Sequence, residues 1–386
     1  MSALLQTQGA DSAATTVIYD HQAFVMQRWG GISRYFAELA KRLAKYPDLR
    51  PLVVAPYANN EYLERLLGIK TRSVSARYRR RGVGKLMALE SQLDQRAVRA
   101  AFAQHPGALY HPTYYDPFLL KGDFKGPVVI TIHDMFYELF APEGADARVA
   151  RQKKAMLQRA DRIVAVSEAT RRDLARLYPW TQDRTTVIHH GVSLVPAPPG
   201  EGALVEGDYL LFVGSRPSYK NFAGFLAAFK ELAAGYPALT LVCTGGGQFS
   251  KEEQRFLEEA GLAQRVILRE VSDEQLSNLY HFARAFVFPS LYEGFGLPIL
   301  EAMSCGAPCV LSDTAVFHEV AADAALYADA RDPSALARAI DALLSDPTLQ
   351  QQLRAAGRER ARAFSWARCA QQHAALYREV SGAHAN

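Results

Sequence analysis

Residues 285–303 read Ala-Phe-Val-Phe-Pro-Ser-Leu-Tyr-Glu-Gly-Phe-Gly-Leu-Pro-Ile-Leu-Glu-Ala-Met, an apolar run, a Gly-Phe-Gly turn and a proline-led segment in immediate succession. The run Ala285–Phe288 predicts a short buried strand. Pro298 to Ser304 predicts the first turns of a helix, because proline is tolerated where a helix begins and its missing N–H costs nothing there. Strand, glycine loop and helix in this order are the repeating unit of a doubly wound parallel sheet. At such a junction the N–H groups of the helix start and the aligned peptide dipoles form an anion site. Gly294 and Gly296 remove the side chains that would hold a ligand away from the backbone. Glu293 hangs on the loop and Glu301 falls in the opening turn.

Two carboxylates beside an anion site repel phosphate, yet they suit a ligand that carries hydroxyls as well as phosphates, such as a sugar nucleotide. Taken alone, the two acids read equally as a helix-start acid complementing the dipole and a solvated loop residue. The stretch resembles the Glu-x7-Glu signature of retaining glycosyltransferases of family four, with the Gly-Phe-Gly and the preceding Pro289-Ser290 in place. That resemblance, which extends from Val17 to Val380, implies a GT-B α/β architecture. Two Rossmann-like, doubly wound domains would face a central cleft, and the last helix would cross back to the first domain. It further implies a nucleotide-diphosphate sugar as donor. Glu293 would hold the donor sugar through the loop Gly294, Phe295, Gly296 and Leu297, and Glu301 would hold the ribose.

A chain of 386 residues is too long for one ordinary core and fits two domains. The prolines of Val195–Gly202 break regular structure, so the expected boundaries are 1–195, joined by a C-terminal helix over 366–386, and 196–365. A hydrophobic content of 49% and a net charge of +4 describe a globular protein and give no argument for a nucleic-acid partner. Cys243, Cys305, Cys309 and Cys369 lack metal-site spacing and read as buried thiols of a reducing cytoplasm. The polar start, Met1 to Thr16, does not read as a signal peptide, and no run approaches the roughly 18 apolar residues of a membrane span.

In the first half, Val17–Tyr19 opens a strand followed by a loop, with Gly30 and Gly31 at the turn into a helix ending near Tyr46. Such a turn is a phosphate cradle or an ordinary turn, and the resemblance favours a glycine pair approaching the donor diphosphate. Arg77 to Lys85 concentrates five cations before a helical pattern. This run is consistent with peripheral contact with an anionic lipid surface or a lipid-diphosphate acceptor, and equally with a solvated face. The strand Pro127–Ile132 delivers His133 and Asp134 at its carboxyl end, the ligand side of an open α/β sheet; the competing reading of His133 is a core histidine bonded to backbone.

The second half restarts at Asp208, where a strand ends in Gly214 and the following loop presents Arg216 and Lys220. The resemblance assigns both cations to the donor diphosphate and the backbone around Val271 to the nucleotide base. His318 stands where relatives usually carry proline before the glutamate, which leaves that loop's geometry open.

Cleaving an anomeric carbon from a diphosphate builds charge on the leaving group, so the main demand is fixed positive potential. Arg216, Lys220 and the helix start supply it, and no Asp-x-Asp occurs in the chain, so no metal or cofactor is expected. The expected catalytic set is His133, Glu293, Arg216 and Lys220. Ile18–Gln22 and Gly30–Tyr35 are similar to bacterial O-antigen and exopolysaccharide transferases that use GDP-mannose or a GDP-deoxyhexose, with a saccharide or lipid-linked oligosaccharide as acceptor. Two other readings share this architecture: a nucleotide-sugar epimerase, which would release a changed sugar nucleotide without acceptor, and a non-catalytic sugar-nucleotide binder.

Overall fold

The computed structural model describes residues 14–73, 83–120, 124–140, 146–198 and 200–385. Residues 77–82 of the basic run lie outside these. The chain divides into two compact units: unit 1 is Met1–His190 with Trp366–Asn386, and unit 2 is Gly191–Ser365.

In unit 1, β1 (Thr15–Tyr19), β2 (Leu49–Val53) and β3 (Leu109–Tyr110) pair in the order β2-β1-β3, and β4 (Val129–Ile132), β5 (Arg162–Ala165) and β6 (Thr185–Val187) pair as β4-β5-β6. All pairs are parallel, and a parallel bridge between Tyr110 and Val128 joins the two sets. Parallel strands covered on both faces read as continuous apolar runs, and β4 is buried at every residue.

Unit 2 forms one parallel sheet of β7 (Tyr209–Val213), β8 (Thr240–Thr244), β9 (Val266–Arg269), β10 (Ala285–Phe288), β11 (Cys309–Ser312) and β12 (Leu326–Ala328), in the order β12-β11-β10-β7-β8-β9. The chain winds outward from β7 to β9, returns to β10 beside β7, and winds outward again to β12. The reversal between β7 and β10 is the topological switch point, where ligands of open α/β sheets bind. The helix Phe222–Ala233 anchors the sheet with Phe222, Phe225, Leu226, Phe229 and Leu232 on one buried stripe. Edge strand β12 has three residues and is not foreseen in the sequence, because three residues establish no period.

The helix Trp366–Ala385 belongs to unit 1. It buries Trp366, Cys369, Ala370, His373, Ala374, Tyr377 and Val380 at helical spacing. The buried polar groups are satisfied by one another: Tyr377 Oη lies 3.0 Å from Tyr19 Oη and 2.6 Å from His111 Nδ1, and Tyr35 Oη lies 2.7 Å from His373 Nε2 and 3.0 Å from Thr131 Oγ1.

Two local expectations change. The units divide after His190 rather than after residue 195, because the proline-rich segment is bonded into unit 2. Ser304 Oγ donates to Leu194 O at 2.9 Å, Ser277 Oγ donates to Val195 O, and Leu204 N donates to Asn278 Oδ1 at 2.9 Å. The loop after β1 also contains a short helix, Gln22–Met26, before the expected helix Gly31–Leu43. All four cysteines are free and buried.

Candidate active site

Because every strand of unit 2 is parallel, the carboxyl ends share one edge, and the loops there emerge in the spatial order β10, β7, β8, β9. Four strands at their ordinary spacing set the outer loops about 14 Å apart. At the switch point the β7 and β10 loops are fastened together, with Leu291 N donating to Tyr219 O at 2.8 Å and Lys220 Nζ donating to Glu293 Oε1. The two side chains are 14% and 15% exposed, so this ion pair is shielded while keeping an opening to solvent. The Lys220 ammonium also stands 5.0 Å from the Phe288 ring centroid. Asn221 follows in the left-handed conformation (φ 54°), which asparagine tolerates, and its side-chain nitrogen donates to Ala330 O at 2.6 Å.

The β10 loop turns into the helix Leu297–Cys305 through Gly296 at φ 110°, where a Cβ would come 2.9 Å from Ile299 Cδ1. Gly294 and Gly296 are buried, and the Phe295 side chain is packed against Phe364 with ring centroids 6.0 Å apart. Phe295 therefore offers a ligand backbone rather than ring. Leu297 is half-buried at the helix start. Glu301 lies in the second turn, is 7% exposed, and accepts a long hydrogen bond from Tyr280 Oη at 3.4 Å. Val271 is half-buried in the loop that leaves β9 for the helix Asp273–Phe282.

Arg216 departs from expectation. Its Nε donates to Glu253 at 3.0 Å, Nη1 to Gly245 O at 2.9 Å, and Nη2 to Gly247 O and Gln248 O at 2.8 Å each. Four of the five N–H groups of the guanidinium are thus committed to protein acceptors, and its central carbon lies 4.9 Å from the Phe249 ring centroid. The cation expected on the diphosphate also shapes the β8 turn, with one guanidinium N–H left over. Gly214 (φ 126°) closes the same junction by donating to Thr244 O at 2.8 Å. Glu253, which the sequence reading passed over, also closes a capping box with Ser250 at the start of the helix Lys251–Glu259. The Ser-x-x-Glu spacing at 250–253 was the available signal.

In unit 1, Gly30 precedes the helix Gly31–Leu43 with extended backbone, and a Cβ there would meet Gln27 Oε1 at 2.3 Å. His133 leaves β4 at its carboxyl end, half-buried, with its N–H donating to Tyr115 Oη at 3.2 Å. Its Nε2 is buried without a hydrogen-bond partner among the described residues. Burial, with Lys153 acting in the same direction and Asp134 opposing, pushes its pKa down to about 4, so the ring is neutral at physiological pH. Asp20 is a fully buried hub that accepts from Thr113 Oγ1, Tyr110 Oη and Gln22 Nε2 at 2.6 Å each. It locks the loops after β1 and β3 together. His318 begins no irregular loop: it sits in the helix Ala315–Ala321, bonds Asp313 at 2.7 Å and stacks on Tyr327 with ring centroids 3.8 Å apart.

Two family models match, one described as Glycosyltransferase Family 4 over residues 29–195 and one as Glycosyl transferases group 1 over residues 200–360. The O-antigen chain mannosyltransferase B of Escherichia coli is 32% identical over 377 residues, covering 90% of this chain and 96% of that protein. The chain belongs to glycosyltransferase family four. A second relative of this family four enzyme, the O-antigen chain mannosyltransferase RfbU of Salmonella typhimurium, is 30% identical over 55% of this chain and 59% of its own length. HepE of Anabaena, solved in complex with UDP and glucose, superposes with a TM-score of 0.72 at 21% identity, covering 94% of this chain and 99% of that one. The fold is GT-B, and the protein is a retaining, nucleotide-sugar-dependent glycosyltransferase. No helix among the described residues is long and apolar enough to cross a membrane.

Proposed function

We propose that this family four enzyme transfers mannose, or a related deoxyhexose, from a GDP-sugar to a saccharide or lipid-linked oligosaccharide during synthesis of a cell-surface polysaccharide. Both mannosyltransferase relatives named above act in O-antigen chains by their descriptions, which supports the sugar and the pathway class. The observation that carries the site assignment is the Lys220–Glu293 pair at the switch point. It sets a cation and a hydroxyl acceptor side by side, as a diphosphate and its sugar require.

In this reading the donor lies along the carboxyl edge of unit 2. Glu293 accepts hydrogen bonds from the sugar hydroxyls, and Lys220 with the helix start at Gly296 and Leu297 faces the diphosphate. Glu301 takes the ribose, and the backbone at Val271 takes the base. Arg216 acts through the Gly245–Gln248 turn that it holds. In the same reading His133 of unit 1, neutral at physiological pH, has the role of orienting a sugar, and Gly30 with Gly31 that of a helix start open to phosphate. Leaving-group charge is met by Lys220 and peptide dipoles without a metal. The acceptor hydroxyl attacks the face from which the diphosphate departs, and the departing oxygen receives its proton. The enzyme works at the cytoplasmic face of the membrane, with residues 77–85 as its basic contact.

A thermal-shift panel of GDP, UDP, ADP and dTDP tests the base, since a ligand that binds the folded state raises its melting temperature. GDP alone giving a shift supports the proposal, and a UDP shift without a GDP shift refutes it. Transfer from GDP-mannose to a lipid-linked glycan should persist in EDTA. Activity lost in EDTA and restored by magnesium would contradict the metal-free site, and a changed sugar nucleotide released without acceptor would indicate an epimerase.

A further inference from the structure

We propose that Lys153 is a positioning residue for His133, its buried ammonium fixing the loop from which that histidine projects. The inference rests on the reading of His133 as the group that orients the donor sugar. Lys153 lies in the helix Asp146–Arg159 within a run of Arg, Gln and Lys that looks solvated, and its neighbour Lys154 is indeed exposed. Lys153 itself is 0% exposed. An ammonium taken out of water is costly unless it is paired and fully bonded, and an apolar side chain would fill the space more cheaply.

What surrounds the ammonium shows what that cost maintains. Lys153 Nζ donates to Glu138 Oε2 and to Asp134 O, each at 2.9 Å, and lies 4.0 Å from Asp134 Oδ1. It also stands 5.0 Å from the Tyr115 ring centroid and 5.8 Å from that of Tyr137. Asp134 adjoins His133, Glu138 and Tyr137 belong to the short helix Phe136–Phe140 that follows, and Tyr115 receives the His133 N–H. One charge therefore ties the β3 loop to the segment of the β4 loop that follows His133. The charged and titratable groups around His133 include Asp134, Lys153 and Glu138, Tyr115 that accepts its N–H, and Tyr35, His190 and His111.

The test compares Lys153→Met with the double variant Lys153→Met/Glu138→Gln, which removes the partner charge that the single change would strand. Steady-state transfer and the imidazole titration of His133 by NMR are both read, the His133 signal being assigned with His133→Gln. In both variants kcat should fall about 10- to 100-fold, as a displaced orienting group costs, while the donor KM stays within about threefold. In Lys153→Met the His133 midpoint should rise from about 4, because a repelling cation has gone. The double variant should regain the melting temperature without regaining kcat. Native kcat in the double variant, or a His133 titration that does not move in Lys153→Met, overturns the inference. His133→Gln with native kcat would instead refute the role given to His133, and the NMR titration still decides whether Lys153 acts on it.

Discussion

Gly246 shows how narrowly the Arg216 turn is built. Its φ is +75°, and a Cβ there would come 2.9 Å from Ser215 Cα and 3.1 Å from Arg216 Nη1. Gly246→Ala therefore strains the backbone and pushes against a neighbouring main chain, a cost of about 1–3 kcal/mol. Urea titration of unit 2 should show that loss, and the donor KM should rise because the β7 loop shifts with it. An alanine variant with native stability would mean that the turn is looser than its geometry indicates. Residue identity alone conveyed less here than residue spacing. Lys220 and Glu293 could be placed on loops at strand ends because strand ends can be read from apolar runs, and the roles proposed for them came from the resemblance. The partners of Arg216 were not legible, since all its acceptors but Glu253 are carbonyls of a turn some thirty residues away, and carbonyls leave no mark in a sequence. Lys153 was hidden for a related reason: a lysine in a basic helical run carries no sign of which face it occupies.

Among the elements, the helix Trp366–Ala385 has the clearest dependence on single side chains. Tyr377 joins Tyr19 and His111 in a site without water access. Tyr377→Phe removes one hydroxyl and leaves two buried polar groups short of a partner, which costs about 1–3 kcal/mol. The unit 1 melting transition should drop by several degrees while unit 2 is unaffected. The exposed Arg378–Asp48 pair at the same helix should matter far less, because surface ion pairs are screened. At this scale the sequence was most readable where four or more apolar residues ran together, and least where an element was short. The helix Gln22–Met26 and strand β12 exist because their neighbours hold them, and local pattern cannot report that.

For the whole molecule, acid should act on one unit before the other. His133 and His373 are pushed down to about 4, and His111 and His190 well below the ordinary 6.5, chiefly by burial, and all four belong to unit 1. The unfolded chain takes up protons near 6.5 while the folded one refuses them. Their contribution is therefore complete above pH 6.5 and is lost as pH falls toward 4. Asp94, pushed up to about 7 by burial, acts in the opposite direction, favouring unit 1 as pH falls below 7. His21, His105 and Asp48 of unit 1 are also lowered, so the groups that lose stability in acid outnumber Asp94 and leave unit 1 acid-sensitive. Calorimetry at pH 7.5, 6 and 5 should show the unit 1 transition falling first, and equal shifts in both units would contradict this.

In the proposed function the donor's pyrophosphate meets Lys220 at the junction of the β7 and β10 loops. Isothermal titration of GDP into the native enzyme and into Lys220→Ala examines that contact with no acceptor or turnover involved. Binding should be tight in the native protein and about 10- to 100-fold weaker in the variant, the worth of one charge-assisted contact. Equal affinities in the two proteins would contradict it.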